Sequence, residues 1–124
     1  MQRAEFESLL QRLVAYLEAP AEGVARHLDL AELAKPAQGS PDVAAWAVND
    51  NDAEAQLPAE RAARATLLGE VANGHPRLVD KVLPPLLAMA EAEADPAVRV
   101  AIGHALGLLY DPRSQAALLQ MAVD

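Results

Sequence analysis

The 124-residue chain has no cysteine. Disulfides, thiolate chemistry and cysteine-ligated zinc are therefore excluded. Aromatic residues make up 3% of the chain while hydrophobic residues make up 52%, so the core has to be built from Leu, Val and Ala. No apolar run approaches the ~18 residues needed to span a bilayer. Neither a Gly-x-Gly-x-x-Gly nor a Gly-Lys-Ser/Thr motif is present to cradle phosphate, and no His-Glu-x-x-His is present to hold zinc. The opening Met1–Ser8 carries two acids and no apolar block, which argues against a secretory signal and makes a cytoplasmic location the expectation.

Positive charge is scarce as well. Lys and Arg total 10 against 18 Asp and Glu, for a net charge of −8. A surface of that sign repels nucleic-acid phosphates and anionic lipid, so neither is an expected partner. It suits a protein with a basic surface. Between Ser40 and Glu60 there are five acids (Asp42, Asp50, Asp52, Glu54 and Glu60) and no base. That stretch reads as a solvated loop face or as an acidic docking strip. Asp50–Glu54 superficially looks like a calcium loop, but it lacks the central glycine and the closing glutamate.

A chain of this length fits one domain, able to bury roughly two thirds of its unfolded surface. Ala and Leu are the strongest helix formers, so the composition predicts an all-α protein. Phe6, Leu9, Leu10, Leu13, Val14 and Leu17 form one helical stripe from Ala4 to Ala19, stopped by Pro20. A second helix is expected over Ala21–Ala34 with Val24, Leu28 and Leu33 inward. Lys35–Pro41 reads as a loop. Asp42 is placed to cap a short helix carrying Val43, Trp46 and Ala47, and the polar stretch 49–56 reads as a loop closing an atypical N-terminal part, residues 1–56.

The strongest feature is an internal repeat. Pro96–Gly107 overlays on Pro58–Gly69 with a shift of 38 positions, matching Pro58/Pro96, Ala59/Ala97, Arg61/Arg99, Ala63/Ala101, Leu68/Leu106 and Gly69/Gly107. A repeated unit of that length means stacked helix pairs. Helices are predicted from Pro58 to Asn73, from about Arg77 to Glu93, from Pro96 to about Tyr110 and from Pro112 to Val123, giving about six or seven in all. Asn73-Gly74 supplies a left-handed stop, Pro84-Pro85 should kink or restart its helix, and Asp95 should cap the next. In the last helix either Ala116, Leu119 and Val123 or Leu118 and Ala122 face inward.

Asp95-Pro-Ala-Val-Arg-Val-Ala-Ile-Gly-His-Ala-Leu-Gly-Leu-Leu-Tyr-Asp-Pro112, followed by Ala117-Leu-Leu119, resembles the HEAT-like repeat in the short form named after phycobiliprotein lyases. The resemblance covers residues 57–124 and is absent from the first 56. Within it, the Pro58 unit departs from the pattern with a longer second helix and Glu60 where a Val precedes the Arg. It implies an α-solenoid of stacked antiparallel helix pairs used mostly for protein–protein contact, and no particular chemistry. It also implies that Arg61 and Arg99 pair with acids of neighbouring units, the planar guanidinium satisfying a carboxylate or helix-end carbonyls two bonds at a time. Catalytic or anion-binding use of these arginines is the alternative, to which Arg64 beside Arg61 adds.

The three histidines, His27, His75 and His104, lie far apart with no partner at ligand spacing, and they read as turn or surface residues. Gly69 and Gly107 read as close-packing positions at the repeat elbows. Trp46 either plugs the gap between the N-terminal helices and the repeats or is an exposed anchor for a partner. The leading expectation is a non-enzymatic scaffold or adaptor, without cofactor or metal, binding another protein through its second helices at Arg77, Asp80, Lys81 and Glu91. An acidic immunity- or antitoxin-type inhibitor of a basic protein is the rival. A bilin-lyase-like accessory role comes third. The last helix, with no capping repeat after it, is a candidate homodimer contact.

Overall fold

A computed structural model describes residues 1–18, 32–49 and 57–123. The predicted helix over 21–34 lies outside the described residues as far as residue 31, and with it Val24, His27 and Leu28. The calcium-like run 50–54 lies outside them too. Among the described residues the chain is all-α, without a strand.

Six α-helices are named here in chain order: α1 Arg3–Glu18, α2 Pro41–Asn49, α3 Pro58–Ala72, α4 Val79–Ala92, α5 Pro96–Gly107 and α6 Pro112–Val123. Residues 32–34 add a short helical turn that runs into a 3-10 turn at Lys35–Ala37, and a second 3-10 turn, Pro76–Leu78, leads into α4. Lys35–Ala37 is thus partly helical where the Pro and Gly content predicts a loop.

Proline sets four of these starts. Pro41, Pro58, Pro96 and Pro112 each stand at the first helical position, where the missing N–H would have had no partner and φ is already helical. Asp95 caps α5 as predicted, its Oδ1 accepting from the Ala97 and Val98 amides at 2.9 and 3.3 Å. For α2 the expectation needs correcting. The cap is Ser40, whose hydroxyl accepts from the Val43 N–H at 3.3 Å, because Pro41 already occupies the first turn and pushes Asp42 inside the helix. Gly74 takes the left-handed conformation at φ 76° that ends α3.

Two more expectations shift, and an open choice narrows. Pro84 and Pro85 lie within one continuous α4 rather than breaking it. The carbonyls deprived of donors four residues back belong to Asp80 and Lys81, both exposed residues. Helix α5 stops at Gly107, three residues early, and Tyr110 adopts a left-handed backbone at φ 51° before the Asp111-Pro112 opening. In α6, Leu118 is half-buried while Ala116, Leu119 and Ala122 are exposed, so Leu118 faces inward without Ala122 and neither expected set is met whole.

Helix α3 is central, in contact with α1, α2, α4 and α5, and α4 also lies against α5. α1 lies on α3 and α3 on α5; α2 lies on α4 and α4 on α6. Cross-contacts join α1 to α2, α3 to α4 and α5 to α6, and the most extensive interface is α3 with α5, the two helices that carry the overlaid repeat. One apolar core runs through all of it, with Phe6, Leu9 and Leu13 from α1, Leu67 and Leu68 from α3, Leu83 and Leu86 from α4, and Ile102 and Leu106 from α5. Each such side chain contributes about 1.5–3 kcal/mol by leaving water. The repeat-equivalent leucines, Leu68 and Leu106, are 1% and 0% exposed.

Candidate functional site

The residues singled out for partner contact are scattered. Arg77, in the 3-10 turn, and Asp80 and Lys81, in the first turn of α4, are exposed at one end of that helix. Glu91 is exposed at the other end, roughly 15 Å along the axis at 1.5 Å per residue. The charges are mixed, and Asp80 is already engaged: Arg113 of α6 donates to its Oδ1 at 2.7 Å. The same guanidinium forks onto Asp111 at 2.9 and 3.0 Å, and this holds the Asp111 carboxyl below the usual carboxylate range. Arg113 thereby ties α6 to α4 across the surface, a role that local pattern does not reveal.

Trp46 lies half-buried on α2 against Phe6 of α1, with ring centroids 5.6 Å apart and planes at 54°. The Arg3 guanidinium sits over both rings, 5.3 Å from Phe6 and 5.6 Å from Trp46. Such a stack joins α1 to α2, and cation–π attraction adds to the burial.

The repeat arginines occupy equivalent places but take different partners. Arg61 makes a two-pronged contact with Glu93, Nε to Oε1 at 2.7 Å and Nη2 to Oε2 at 3.0 Å. Arg99 instead reaches main-chain carbonyls: Nη1 to Glu93 at 3.1 Å and to Ala90 at 3.5 Å, and Nη2 to Met121 at 3.5 Å. Glu93 also accepts from the Asp95 amide at 3.1 Å. Arg61, Glu93, Asp95 and Arg99 therefore form one cluster where α3, α4 and α5 meet, and every member is occupied in holding helix ends.

The Arg61 guanidinium, followed by the main-chain amides of Asp95 and Ala94, depresses the Glu93 carboxyl below its ordinary value. A carboxyl whose folded value lies below its unfolded value, about 4.3, stabilises the fold above that pH and loses its contribution as pH falls through the folded value. Glu93→Gln is thus expected to cost roughly 1–3 kcal/mol near neutrality, a cost that shrinks below about pH 4. Paired urea denaturation curves of the two proteins across that pH range measure it.

Two further buried charges have structural partners. Arg64, 5% exposed, donates to the Trp46 and Ala47 carbonyls at 3.2 and 3.1 Å and to Glu60 at 3.2 Å, closing the C-terminal end of α2. Glu70, 2% exposed, accepts from Gln38 and Asn73 amides, both at 2.8 Å, and so pins the turn after Ala37 to α3. His75 packs its ring beneath Gly39, and His104 is exposed. Among the described residues, no group of three or more His, Cys, Asp or Glu is arranged to hold a metal ion. None of the described helices is long and apolar enough to cross a membrane.

A groove of about 590 Å³ runs along α1. Its lining includes Phe6, Leu10, Val14 and Ala15 on the apolar side and Glu7, Gln11, Glu18 and Glu60 on the polar side. The Phe6–Leu17 stripe does not show it, because periodicity marks an apolar face without saying how far neighbouring helices cover it. The residues Glu7, Gln11 and Glu18, at steps of four and seven along α1, were the available signal.

No family model matches the chain, and no curated protein or solved structure is significantly similar to it.

Proposed function

We propose that the chain is a HEAT-like α-solenoid serving as a non-enzymatic scaffold or adaptor that binds another protein bearing a basic surface. The observation that carries this reading is the coincidence of pattern and packing. The 38-residue overlay falls on α3 and α5, which lie against each other, while α4 touches α2, α3, α5 and α6. Stacked hairpins of this kind present long, continuous side surfaces, which is the geometry such repeats use for partners. The charge of −8 sets the sign of the partner's surface. On the exposed side of α4 the charges are mixed and Asp80 is held by Arg113.

The same charge favours a second reading, an immunity- or antitoxin-type inhibitor that captures a basic protein by electrostatic steering. One experiment addresses both. The full chain is immobilised, a retained protein is identified and made recombinantly, and the pair is run by size-exclusion chromatography at low and high salt. A discrete complex with a basic protein is expected. If the partner is toxic or enzymatic and is silenced in the complex, the inhibitor reading takes over. Recovery of no protein that re-forms a defined complex would overturn the binding proposal.

A further inference from the structure

We propose that Asn73 is a self-modifying site: its side-chain amide is lost by cyclisation onto the Gly74 main chain, and the carboxylate left behind opens a latch that Glu70 holds. Of the three asparagines, Asn73 alone is followed by glycine. A glycine there puts no side chain in the path of the ring that must close. Gly74 is exposed, with nothing within 4 Å of where a Cβ would stand. Its N–H makes no hydrogen bond among the described residues. Asn73 beside it is half-buried.

The chemistry needs only water. The Gly74 nitrogen loses its proton to solvent base and bonds to the Asn73 Cγ. The Cγ–Nδ2 bond breaks, and that nitrogen takes up a proton and leaves as ammonia. Water then adds to either carbonyl of the succinimide and opens it to aspartate or isoaspartate. At the resting ψ of 114° the Gly74 nitrogen is turned away from the Asn73 side chain, so the turn has to open before the ring can close. The reaction is therefore slow in the folded chain and runs through local opening.

The partner of the lost amide gives the change its consequence. Asn73 Nδ2 donates to Glu70 Oε1 at 2.8 Å, and Gln38 Nε2 donates to the same oxygen at 2.8 Å. Glu70 is 2% exposed. An ionised aspartate at position 73 has no proton to donate, and it sets a second negative charge against a carboxylate shielded from water. Gln38 is followed by Gly39, whose N–H donates to the Val71 carbonyl at 2.9 Å. Loosening Glu70 thus frees the turn after Ala37 from α3. Isoaspartate carries the same charge and also lengthens the main chain at the end of that helix, where the Asn73 N–H donates to the Glu70 carbonyl at 3.2 Å.

The test starts with the full chain, incubated folded in mildly alkaline buffer and digested with trypsin in mild acid. The peptide from Ala65 to Arg77 is followed by mass spectrometry beside the same peptide made synthetically. Conversion of Asn73 to a mixture of aspartate and isoaspartate is expected, more slowly in the folded chain than in the peptide. Gly74→Ala, whose methyl obstructs the ring, should convert at least about tenfold more slowly than the parent chain. Asn73→Asp stands for the product, and Asn73→Ala for loss of the donor alone. Asn73→Asp should melt below Asn73→Ala, and its Gly39 amide should exchange with deuterium at least about tenfold faster, with a smaller change in α5. An unconverted Asn73 in the chain after the synthetic peptide has gone to completion would overturn the site. Equal exchange at Gly39 in the two variants would overturn the latch, whatever their melting temperatures.

Discussion

Replacing Leu106 with Asp is expected to leave the chain without a cooperative thermal transition. Leu106 is 0% exposed and sits in α5, which packs against α3, α4 and α6 at once. Removing a buried leucine side chain costs about 2–5 kcal/mol, and stranding a carboxylate among aliphatic neighbours adds several more unless it takes up a proton. The sum is comparable to the whole stability of a domain, about 5–15 kcal/mol. Leu119→Asp makes the same chemical change at a position 72% exposed, and it should shift stability by no more than about 0.5 kcal/mol. Circular dichroism melts of the two variants beside the parent protein decide the matter. A Leu106→Asp protein that melts cooperatively near the parent temperature would mean that α5 does not form the centre of this core.

What could be read along the chain was mostly what is decided within a turn or two. Pro58, Pro96 and Pro112 mark helix starts because a proline's fixed φ and missing N–H act on its own residue. Asp95 caps α5 because its acceptor reaches amides two and three positions ahead. The leucine stripe and the 38-residue overlay likewise report which side of a helix is apolar, and Leu68 and Leu106 are correspondingly buried. The polar framework was only partly legible: the repeat resemblance leads Arg61 and Arg99 to an acid or to helix-end carbonyls, but not to which ones, because the partners are distant. Arg61 finds Glu93 across 32 positions, Gln38 finds Glu70 across 32, and Arg113 finds Asp80 across 33. No period or motif encodes such pairs. Arg64 shows the same limit from the other side: beside Arg61 it reads as an added cation for an anion, yet α3 turns it onto the carbonyls that end α2. The groove along α1 was hidden for a related reason. A stripe of apolar residues predicts a buried face, and the positions of α2 and α3 against it decide how much of that face is covered.

The two repeat-equivalent glycines separate helix propensity from packing, and they should respond to alanine with opposite signs. In an exposed helix interior, Gly→Ala stabilises by up to about 1 kcal/mol because glycine has more backbone freedom to lose. Gly107, the last residue of α5, has nothing within 4 Å of where a Cβ would stand, so Gly107→Ala should be neutral or follow that trend. At Gly69 a Cβ would lie 2.6 Å from the Ala105 Cβ, 2.7 Å from its Cα and 3.2 Å from its carbonyl oxygen. Two of those three atoms are backbone, which has no rotamer to yield, so α3 and α5 have to move apart across their whole interface. Overpacking of that kind costs about 1–3 kcal/mol. Gly69→Ala should therefore destabilise despite its better propensity, and Gly69→Val should do so more strongly, with two extra methyls and a stiff χ1 in the same space. Adding Ala105→Gly to Gly69→Ala removes the 2.6 Å contact but not the 2.7 Å one, so it should restore only part of the loss. Urea midpoints for the four variants supply the comparison. A more stable Gly69→Ala protein would mean that the two repeat helices do not approach this closely, and the stacking on which the binding proposal rests would go with it.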